Sequence, residues 1–313
     1  MLAEPDATII NMLPCTSRLA IPLLIGSALL FSLMPPHALA SAKSAAPTRF
    51  SVGIEGEGPD VILIPGLASS SAVWREEAQK LQAHHRLYLV QVAGFAGRPA
   101  GPNAQGPVIA PLVEELAAYI KRNKLKSPAI IGHSLGGLIG LMLADKHPET
   151  VGKLMIVDTL PFFGMVFGST TTTATLEPRA AAMRDGILRQ TQEQYAASEP
   201  KIMASLVKSN GPEAQAAIAA ASASDHTVVA RVLYEDFMTD LRADLPGIKT
   251  PVVMLYPFDP STGATQANFD ELYQGAYASL PNKRLVRIDN SFHFIQLDQP
   301  DAFDREVQKF LNQ

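Results

Sequence analysis

The chain has 313 residues, of which 47% are hydrophobic and 18% charged, and its formal net charge is −4. A chain of this length holds one large domain or two small ones. Nucleic-acid binding requires a basic face that neutralises phosphates, and neither the net charge nor any cluster of Lys and Arg provides one. The composition therefore predicts a globular protein that does not bind nucleic acid.

The first forty residues have the pattern of an export signal. Arg18 precedes an apolar run over residues 19–33, and the small-residue pattern Ala38-Leu39-Ala40 follows it. The run is shorter than a membrane span usually requires, although a membrane anchor or a buried helix is the alternative. We expect residues 1–40 to be a signal peptide, so that the chain is exported to the periplasm or the exterior and keeps no stable membrane span. The single cysteine, Cys15, lies within it.

After this segment, short apolar runs alternate with helical patterns. Because the apolar runs lack polar alternation and are separated by helices, they are typical of a mostly parallel sheet with helices on both faces, an α/β fold. Strands are expected over residues 61–65, 86–92, 128–132, 153–158, 251–256 and 284–289, and helices over 72–82, 111–123, 135–148 and 302–311.

The alternation is interrupted between residues 161 and 244, which contain no strand-like run and are rich in alanine. We interpret 161–244 as a helical cap inserted into a core formed by 41–160 and 245–313. An apolar patch opens the cap. It should either line an acyl pocket, as substrate-binding side chains, or seat the cap on the sheet, and its main members are Phe162, Phe163 and Met165.

One short motif points to chemistry. Residues 132–136 read Gly-His-Ser-Leu-Gly, a G-x-S-x-G pattern with a predicted strand before it and a predicted helix after it. A sharp strand-to-helix turn crowds the backbone, so it needs small residues on both sides of the serine, and it exposes the serine hydroxyl. The start of the helix also directs backbone N–H groups at any oxyanion formed there. Ser134 is therefore a candidate nucleophile.

On this motif and its flanks the chain resembles the α/β-hydrolase superfamily, specifically its serine esterases with a helical cap inserted after the sixth strand. The resemblance covers essentially the whole chain after residue 40. The family orders its residues serine, acid, histidine, with the histidine after the last strand. His293 is the histidine that follows the last predicted strand and precedes the final helix, so the resemblance implies that it is the catalytic base.

The acid has two candidates. Asp259 follows the strand ending near Tyr256, where the family usually carries the acid, and it is the favoured candidate. Asp158 ends the preceding strand and is the main competitor, since some relatives hold the acid there. The acid must face His293 to orient the imidazole.

The resemblance also implies an oxyanion hole. Its donors are expected to be the backbone N–H groups of Leu135, directly after the serine, and of Leu67, in the loop after the first apolar strand. Relatives usually carry His-Gly in that loop, whereas this chain has Pro65-Gly66. The proline in place of the histidine means that the resemblance does not predict the shape of this loop.

These residues favour a carboxylic ester hydrolase that forms an acyl-enzyme on Ser134 and acts on a small-molecule ester without a metal or cofactor. Amide, peptide or C–C bond hydrolysis and acyl transfer are alternatives on the same fold, and a non-catalytic binding protein is a weaker one. An aminopeptidase would need acidic residues in the cap. Three candidates for that role, interpreted here as solvated helix faces, are Glu193, Glu199 and Glu213.

Overall fold

The computed structural model describes residues 46–313, which form one seven-stranded sheet with helices around it. The strand order is β1-β3-β2-β4-β5-β6-β7; β1 runs antiparallel to β3, and all other neighbours are parallel. The strands are β1 Phe50–Glu55, β2 Asp60–Ile64, β3 Arg86–Val92, β4 Ala129–His133, β5 Lys153–Val157, β6 Val252–Phe258 and β7 Lys283–Asp289. The α/β class and all six strands expected from the apolar runs are confirmed.

Strand β1 is the one that the apolar runs do not predict. It lies at the edge of the sheet, where only Phe50 of its six residues is buried. Phe50 packs edge-on against Tyr119, with 5.9 Å between the ring centroids. An edge strand with one exposed face needs few apolar residues, so its sequence carries a weak signal.

The described part of the chain contains ten α-helices. They are α1 Arg75–Leu81, α2 Ile109–Arg122, α3 Leu135–Lys146, α4 Thr173–Leu188, α5 Gln192–Met203, α6 Pro212–Ser222, α7 His226–Met238, α8 Gln266–Ala276, α9 Ile295–Asp298 and α10 Pro300–Leu311. Helix α3 is buried without interruption from Leu135 to Ala144. A helix that is apolar on every side belongs in the interior of the domain, and α3 carries the serine motif there.

The helical insertion consists of α4 to α7, which pack as the pairs α4 with α7 and α5 with α6. In the described sheet it follows the fifth strand, β5, rather than the sixth counted in the family fold, because seven strands are described. Hydrogen bonds tie it to loops of the core. Ser224 Oγ accepts the N–H of Ala96 at 2.8 Å, and the N–H of Asp225 donates to the carbonyl oxygen of Gly94 at 2.8 Å.

The expected signal peptide and Cys15 lie outside the described residues. Within residues 46–313, no helix combines the length and the apolar character needed to cross a membrane.

Candidate active site

Ser134 lies in a sharp turn between β4 and α3. Its backbone has φ 53° and ψ −121°, a left-handed conformation that is strained for any residue other than glycine. Two hydrogen bonds hold Ser134 there. Its N–H donates to the carbonyl oxygen of Val157 at 2.9 Å, and Thr159 Oγ1 donates to the carbonyl oxygen of Ser134 at 2.7 Å. The end of β5 therefore supports the turn that presents Ser134.

The two glycines of the motif have a steric reason. A Cβ atom at Gly132 would lie 2.2 Å from the carbonyl oxygen of Gly136, and a Cβ at Gly136 would lie 2.2 Å from that of Ile64. Both distances are far shorter than a van der Waals contact. The turn closes tightly only because neither position has a side chain, as the motif predicts.

His293 follows β7, as expected, and its Nδ1 lies 2.6 Å from Oδ2 of Asp158. A carboxylate only accepts hydrogen bonds, so Nδ1 carries the proton and Nε2 of the neutral ring keeps its lone pair. The other oxygen of Asp158, Oδ1, accepts the hydroxyl of Tyr273 in α8. Burial raises the pKa of Tyr273 well above its usual value, and the negative charge of Asp158 adds to this shift, so Tyr273 stays a donor.

Asp259, the favoured partner of His293 in the sequence, does not occupy this position. Its carboxylate accepts Lys208 Nζ at 2.5 Å, and its Oδ1 accepts both the N–H and the hydroxyl of Ser261, at 2.9 and 2.5 Å. The hydrogen bond from Lys208, followed by those from Ser261, lowers the pKa of Asp259 to about 2. Asp158, the competing candidate, is the residue that faces His293.

His133, the variable residue of the motif, also contacts His293. Its Nε2 lies 3.0 Å from the carbonyl oxygen of His293, and its ring lies 4.6 Å from the rings of both His293 and Phe294. A carbonyl oxygen only accepts, so Nε2 of His133 is protonated. Complete burial lowers the pKa of His133 well below its usual value, and the neutral ring therefore supports the backbone of His293. The sequence contains no signal for this role.

Two backbone N–H groups near Ser134 are free to bind a ligand. Leu135 begins α3, where the first amides of a helix have no intrahelical acceptor. In residues 46–313, neither its N–H nor that of Leu67 donates a hydrogen bond. The loop carrying Leu67 passes close to the nucleophile, because a Cβ at Gly66 would lie 3.1 Å from Cβ of Ser134.

Ser134, Asp158 and His293 line one cavity of about 740 Å³ between the cap and the sheet. Within the described chain, no hydrogen bond joins the Ser134 hydroxyl to the imidazole of His293. Most of the cavity wall is apolar, and the cap contributes Phe163, Val166, Met183, Ile187, Ile202 and Met203 to it.

Of the three aromatic and methionine residues expected at the substrate site, only Phe163 lines this cavity. Residues 163–167 form a 3-10 helix, whose period of three places Phe163 and Val166 on one face. Phe162 is fully buried in a small cluster whose members all belong to the cap, with the guanidinium of Arg242 4.5 Å above its ring. Met165 packs against both this cluster and the main core. Met165 thus seats the cap, the second role that the sequence left open, whereas Phe162 packs inside the cap.

Two carboxyl groups of the cap reach the cavity. Glu199, interpreted from the sequence as part of a solvated face, is 7% exposed and lines the cavity together with Asp236. That interpretation of Glu199 is wrong, whereas Glu193 is exposed as expected. Burial raises the pKa of Asp236 from 3.8 to about 7, and the charge of His293 opposes part of this shift.

A strand–serine–helix turn and a histidine–carboxylate pair at the carboxyl edge of a parallel sheet define a hydrolase-type site. Comparison with known families agrees with this class. Residues 61–306 match the model of the Alpha/beta hydrolase family, and the chain belongs to that family.

Curated relatives include methyl ester esterases. The chain is 36% identical to the pimeloyl-[acyl-carrier protein] methyl ester esterase of Aeromonas salmonicida over 115 residues, which cover 36% of this chain and 43% of that protein. The chain thus matches less than half the length of this relative. The enzyme of the same name from Aliivibrio fischeri is 26% identical over 272 residues, covering 83% of this chain and 96% of that protein.

Solved structures share the fold. An esterase from Exiguobacterium antarcticum superposes with a TM-score of 0.71 at 18% identity, covering 85% of this chain and 96% of that one. The enol-lactonase of Burkholderia xenovorans LB400 gives 0.67 at 21% identity, covering 85% and 97%. At these identities the likeness concerns the fold alone.

Proposed function

We propose that the protein is a serine hydrolase that cleaves carboxylic esters through an acyl-enzyme. Ser134 is the nucleophile, His293 the general base and Asp158 the acid that orients it. The observation that carries the proposal is the 2.6 Å hydrogen bond from His293 Nδ1 to Asp158, on the wall of the cavity that Ser134 also lines. Because this bond fixes the tautomer of the imidazole, it leaves Nε2 able to accept a proton.

In the first half of the reaction, Ser134 Oγ bonds to the ester carbonyl carbon while Nε2 of His293 takes its proton. The carbonyl oxygen becomes an oxyanion, which the N–H groups of Leu67 and Leu135 stabilise. A preorganised donor of this kind contributes about 10²–10³ in rate. The bond to the leaving oxygen then breaks, and His293 returns the proton to it, so an alcohol leaves and the acyl group stays on Ser134.

In the second half, a water molecule attacks the acyl carbon and gives its proton to Nε2 of His293. A second tetrahedral intermediate forms in the same oxyanion hole and collapses, returning the proton to Ser134 Oγ. The carboxylic acid is released and the free enzyme is restored.

The names of the relatives and the shape of the cavity favour esters over other substrates. The Aliivibrio fischeri relative, which matches most of this chain, is named as a methyl ester esterase. The cavity of about 740 Å³ is lined mainly by apolar side chains, which suits a small or medium acyl group.

Amide hydrolysis is the second candidate, because Glu199 and Asp236 place carboxyl groups where a free amine of an aminoacyl substrate could bind. A panel of p-nitrophenyl esters of rising acyl length, run beside a panel of amino-acid p-nitroanilides, separates the two. We expect cleavage of the esters and loss of that activity in Ser134→Ala. Cleavage of the anilides alone would rule out the esterase, and full activity in Ser134→Ala would rule out the nucleophile.

We also propose that residues 1–40 direct export and are removed. The support is the sequence pattern ending at Ala38-Leu39-Ala40. Mass spectrometry of the protein from the host's extracytoplasmic fraction should show an N-terminus near residue 41; an intact N-terminus would refute this proposal.

A further inference from the structure

Asp236 is an exception on the cap wall of the active-site cavity. Helix α7 presents Val229, Leu233, Asp236 and Phe237 to the cavity. Their spacing of four, seven and eight residues places them on one helical stripe. The other three members of the stripe are apolar, so a carboxyl group stands where a helix facing an apolar cavity would carry a hydrophobic side chain.

The carboxyl of Asp236 has no partner among the described side chains and backbone groups, because no hydrogen bond to it is formed within residues 46–313. The other two aspartates near the site differ in this respect. Asp158 accepts His293 and Tyr273, and Asp259 accepts Lys208 and Ser261. Asp236 is half-buried at the cavity wall, and a carboxyl that receives no hydrogen bond from the protein keeps its full acceptor capacity. Its acceptor oxygens are therefore available to whatever fills the cavity.

The part of α7 that carries Asp236 is held in place, because both neighbouring residues contact the core or the cap. Glu235 accepts the N–H groups of Val108 and Ile109, at 2.9 and 2.7 Å, where α2 begins. On the other side, Phe237 stacks on Phe163 with 4.1 Å between the ring centroids and 14° between their planes. The helix that presents Asp236 to the cavity is therefore fixed before a ligand binds.

The side of the substrate that Asp236 faces follows from His293. The two side chains line one cavity, and the imidazole, once it carries the proton taken from Ser134, is the neighbouring charge that lowers the pKa of Asp236. In the proposed reaction His293 delivers its proton to the leaving oxygen, so the alcohol portion of the ester lies beside His293. Asp236 is then close to the alcohol portion, and the apolar residues of the cap remain for the acyl chain.

We propose that Asp236 is a specificity-determining residue that accepts a hydrogen bond from a hydroxyl group on the alcohol portion of the ester. The preferred substrates are thus acyl monoesters of a diol or polyol. This inference rests on the proposed ester hydrolysis. A neutral hydroxyl suits the site better than an ammonium group, because the mainly apolar wall that disfavours the charge of Asp236 also disfavours a buried cation.

The test compares two esters of nearly equal shape, 2-hydroxyethyl butyrate and propyl butyrate, which differ by a hydroxyl in place of a methyl group. We expect the wild-type protein to prefer the hydroxyethyl ester by about tenfold in kcat/KM, the effect of one hydrogen bond to a carboxyl group. Asp236→Leu should remove this preference and retain hydrolysis of the propyl ester. Asp236→Asn should keep part of the preference, because its amide oxygen still accepts.

A matched control removes a different carboxyl from the cap. Asp185 in α4 is half exposed and is paired with Arg184, so Asp185→Leu should leave the preference unchanged. Choline butyrate and its uncharged analogue 3,3-dimethylbutyl butyrate test for a cation instead. A choline preference larger than the hydroxyl preference, and lost in Asp236→Asn, would overturn the inference.

Two further results would also overturn it: no hydroxyl preference in the wild type, or the same preference in Asp236→Leu. An equal loss of kcat for both esters in Asp236→Leu would assign Asp236 to the chemistry and contradict a specificity role. Failure of the proposed function gives a different result: neither ester would be hydrolysed, or Ser134→Ala would hydrolyse both as fast as the wild type.

Discussion

The replacement of Asp158 by asparagine is the sharpest test of the proposed acid, because the structure predicts which way the new amide faces. In the native site, Oδ1 of Asp158 accepts the hydroxyl of Tyr273 and Oδ2 accepts Nδ1 of His293. The amide of asparagine has one oxygen and one NH2 group. Tyr273 donates its proton, so it selects the oxygen and turns the NH2 group toward His293.

An NH2 group facing Nδ1 of His293 needs an acceptor there. The imidazole then carries its proton on Nε2, where it cannot take the proton of Ser134. In serine triads such a wrong tautomer lowers kcat by about 10⁴, which corresponds to about 5.4 kcal/mol in activation free energy. We expect a loss of this size in Asp158→Asn with the fold unchanged.

The double variant Asp158→Asn with Tyr273→Phe checks the reasoning itself. Without the tyrosine hydroxyl the amide is free to rotate, so its oxygen can accept Nδ1 of His293 again. We expect the double variant to be more active than Asp158→Asn alone. If the added substitution lowers kcat further, Tyr273 does not orient the amide, and the loss in Asp158→Asn does not come from the wrong tautomer of His293.

Asp259→Asn is the control at the position favoured by the sequence. It breaks an ion pair with Lys208, whose side chain is 47% exposed, so kcat should fall less than tenfold. The assay is p-nitrophenyl ester hydrolysis at saturating substrate, with circular dichroism to confirm folding. A loss of several orders of magnitude in Asp259→Asn, with Asp158→Asn nearly unaffected, would refute the assignment of Asp158.

Three further outcomes are expected. Tyr273→Phe alone should lower kcat by less than tenfold, because Asp158 still accepts the hydrogen bond from His293. Ester hydrolysis measures this, and a loss near 10⁴ would contradict it. Gly132→Ala should destabilise the fold by more than about 2 kcal/mol in urea unfolding, because its Cβ would lie 2.2 Å from the carbonyl oxygen of Gly136; wild-type stability would show that the turn relaxes. Glu77 is 4% exposed, and burial, with a smaller effect from a neighbouring carboxylate, raises its pKa from 4.5 to about 7. Between these pH values the native state keeps a proton that the unfolded state loses, so native stability falls as pH rises. Glu77→Gln should therefore gain up to about 3 kcal/mol over the wild type from pH 5 to pH 8, measured by urea unfolding, whereas a constant difference would refute the buried carboxyl.

The turn that carries Ser134 could be read from the sequence because its requirements are local. A buried strand, two residues without side chains and an apolar helix adjoin one another in the chain, and each leaves a direct pattern. The resemblance to the family predicts His293, because that family places its histidine after the last strand. The central strands of the sheet were equally visible, since strands buried on both faces are continuously apolar.

The partner of His293 depends on contacts that are distant in sequence. Asp158 and Asp259 both follow parallel strands that are neighbours in the sheet, β5 and β6, so their carboxyls emerge at the same edge. The order of residues along the chain does not distinguish them. The tertiary structure does, because Tyr273 of α8 holds Asp158 toward His293, whereas Lys208 of the cap draws Asp259 away.

The two carboxyl groups on the otherwise apolar cavity wall likewise depend on tertiary packing. Asp236 and Glu199 look like ordinary polar residues of amphipathic helices, and only the docking of the cap turns them inward. The sequence by itself determined the fold and the candidate nucleophile, since these follow from patterns between neighbouring residues, and the family order along the chain indicated the candidate histidine. The carboxyl that faces His293 and the inward carboxyls of the cap required the tertiary structure, because they depend on which side chains from separate elements meet around the cavity.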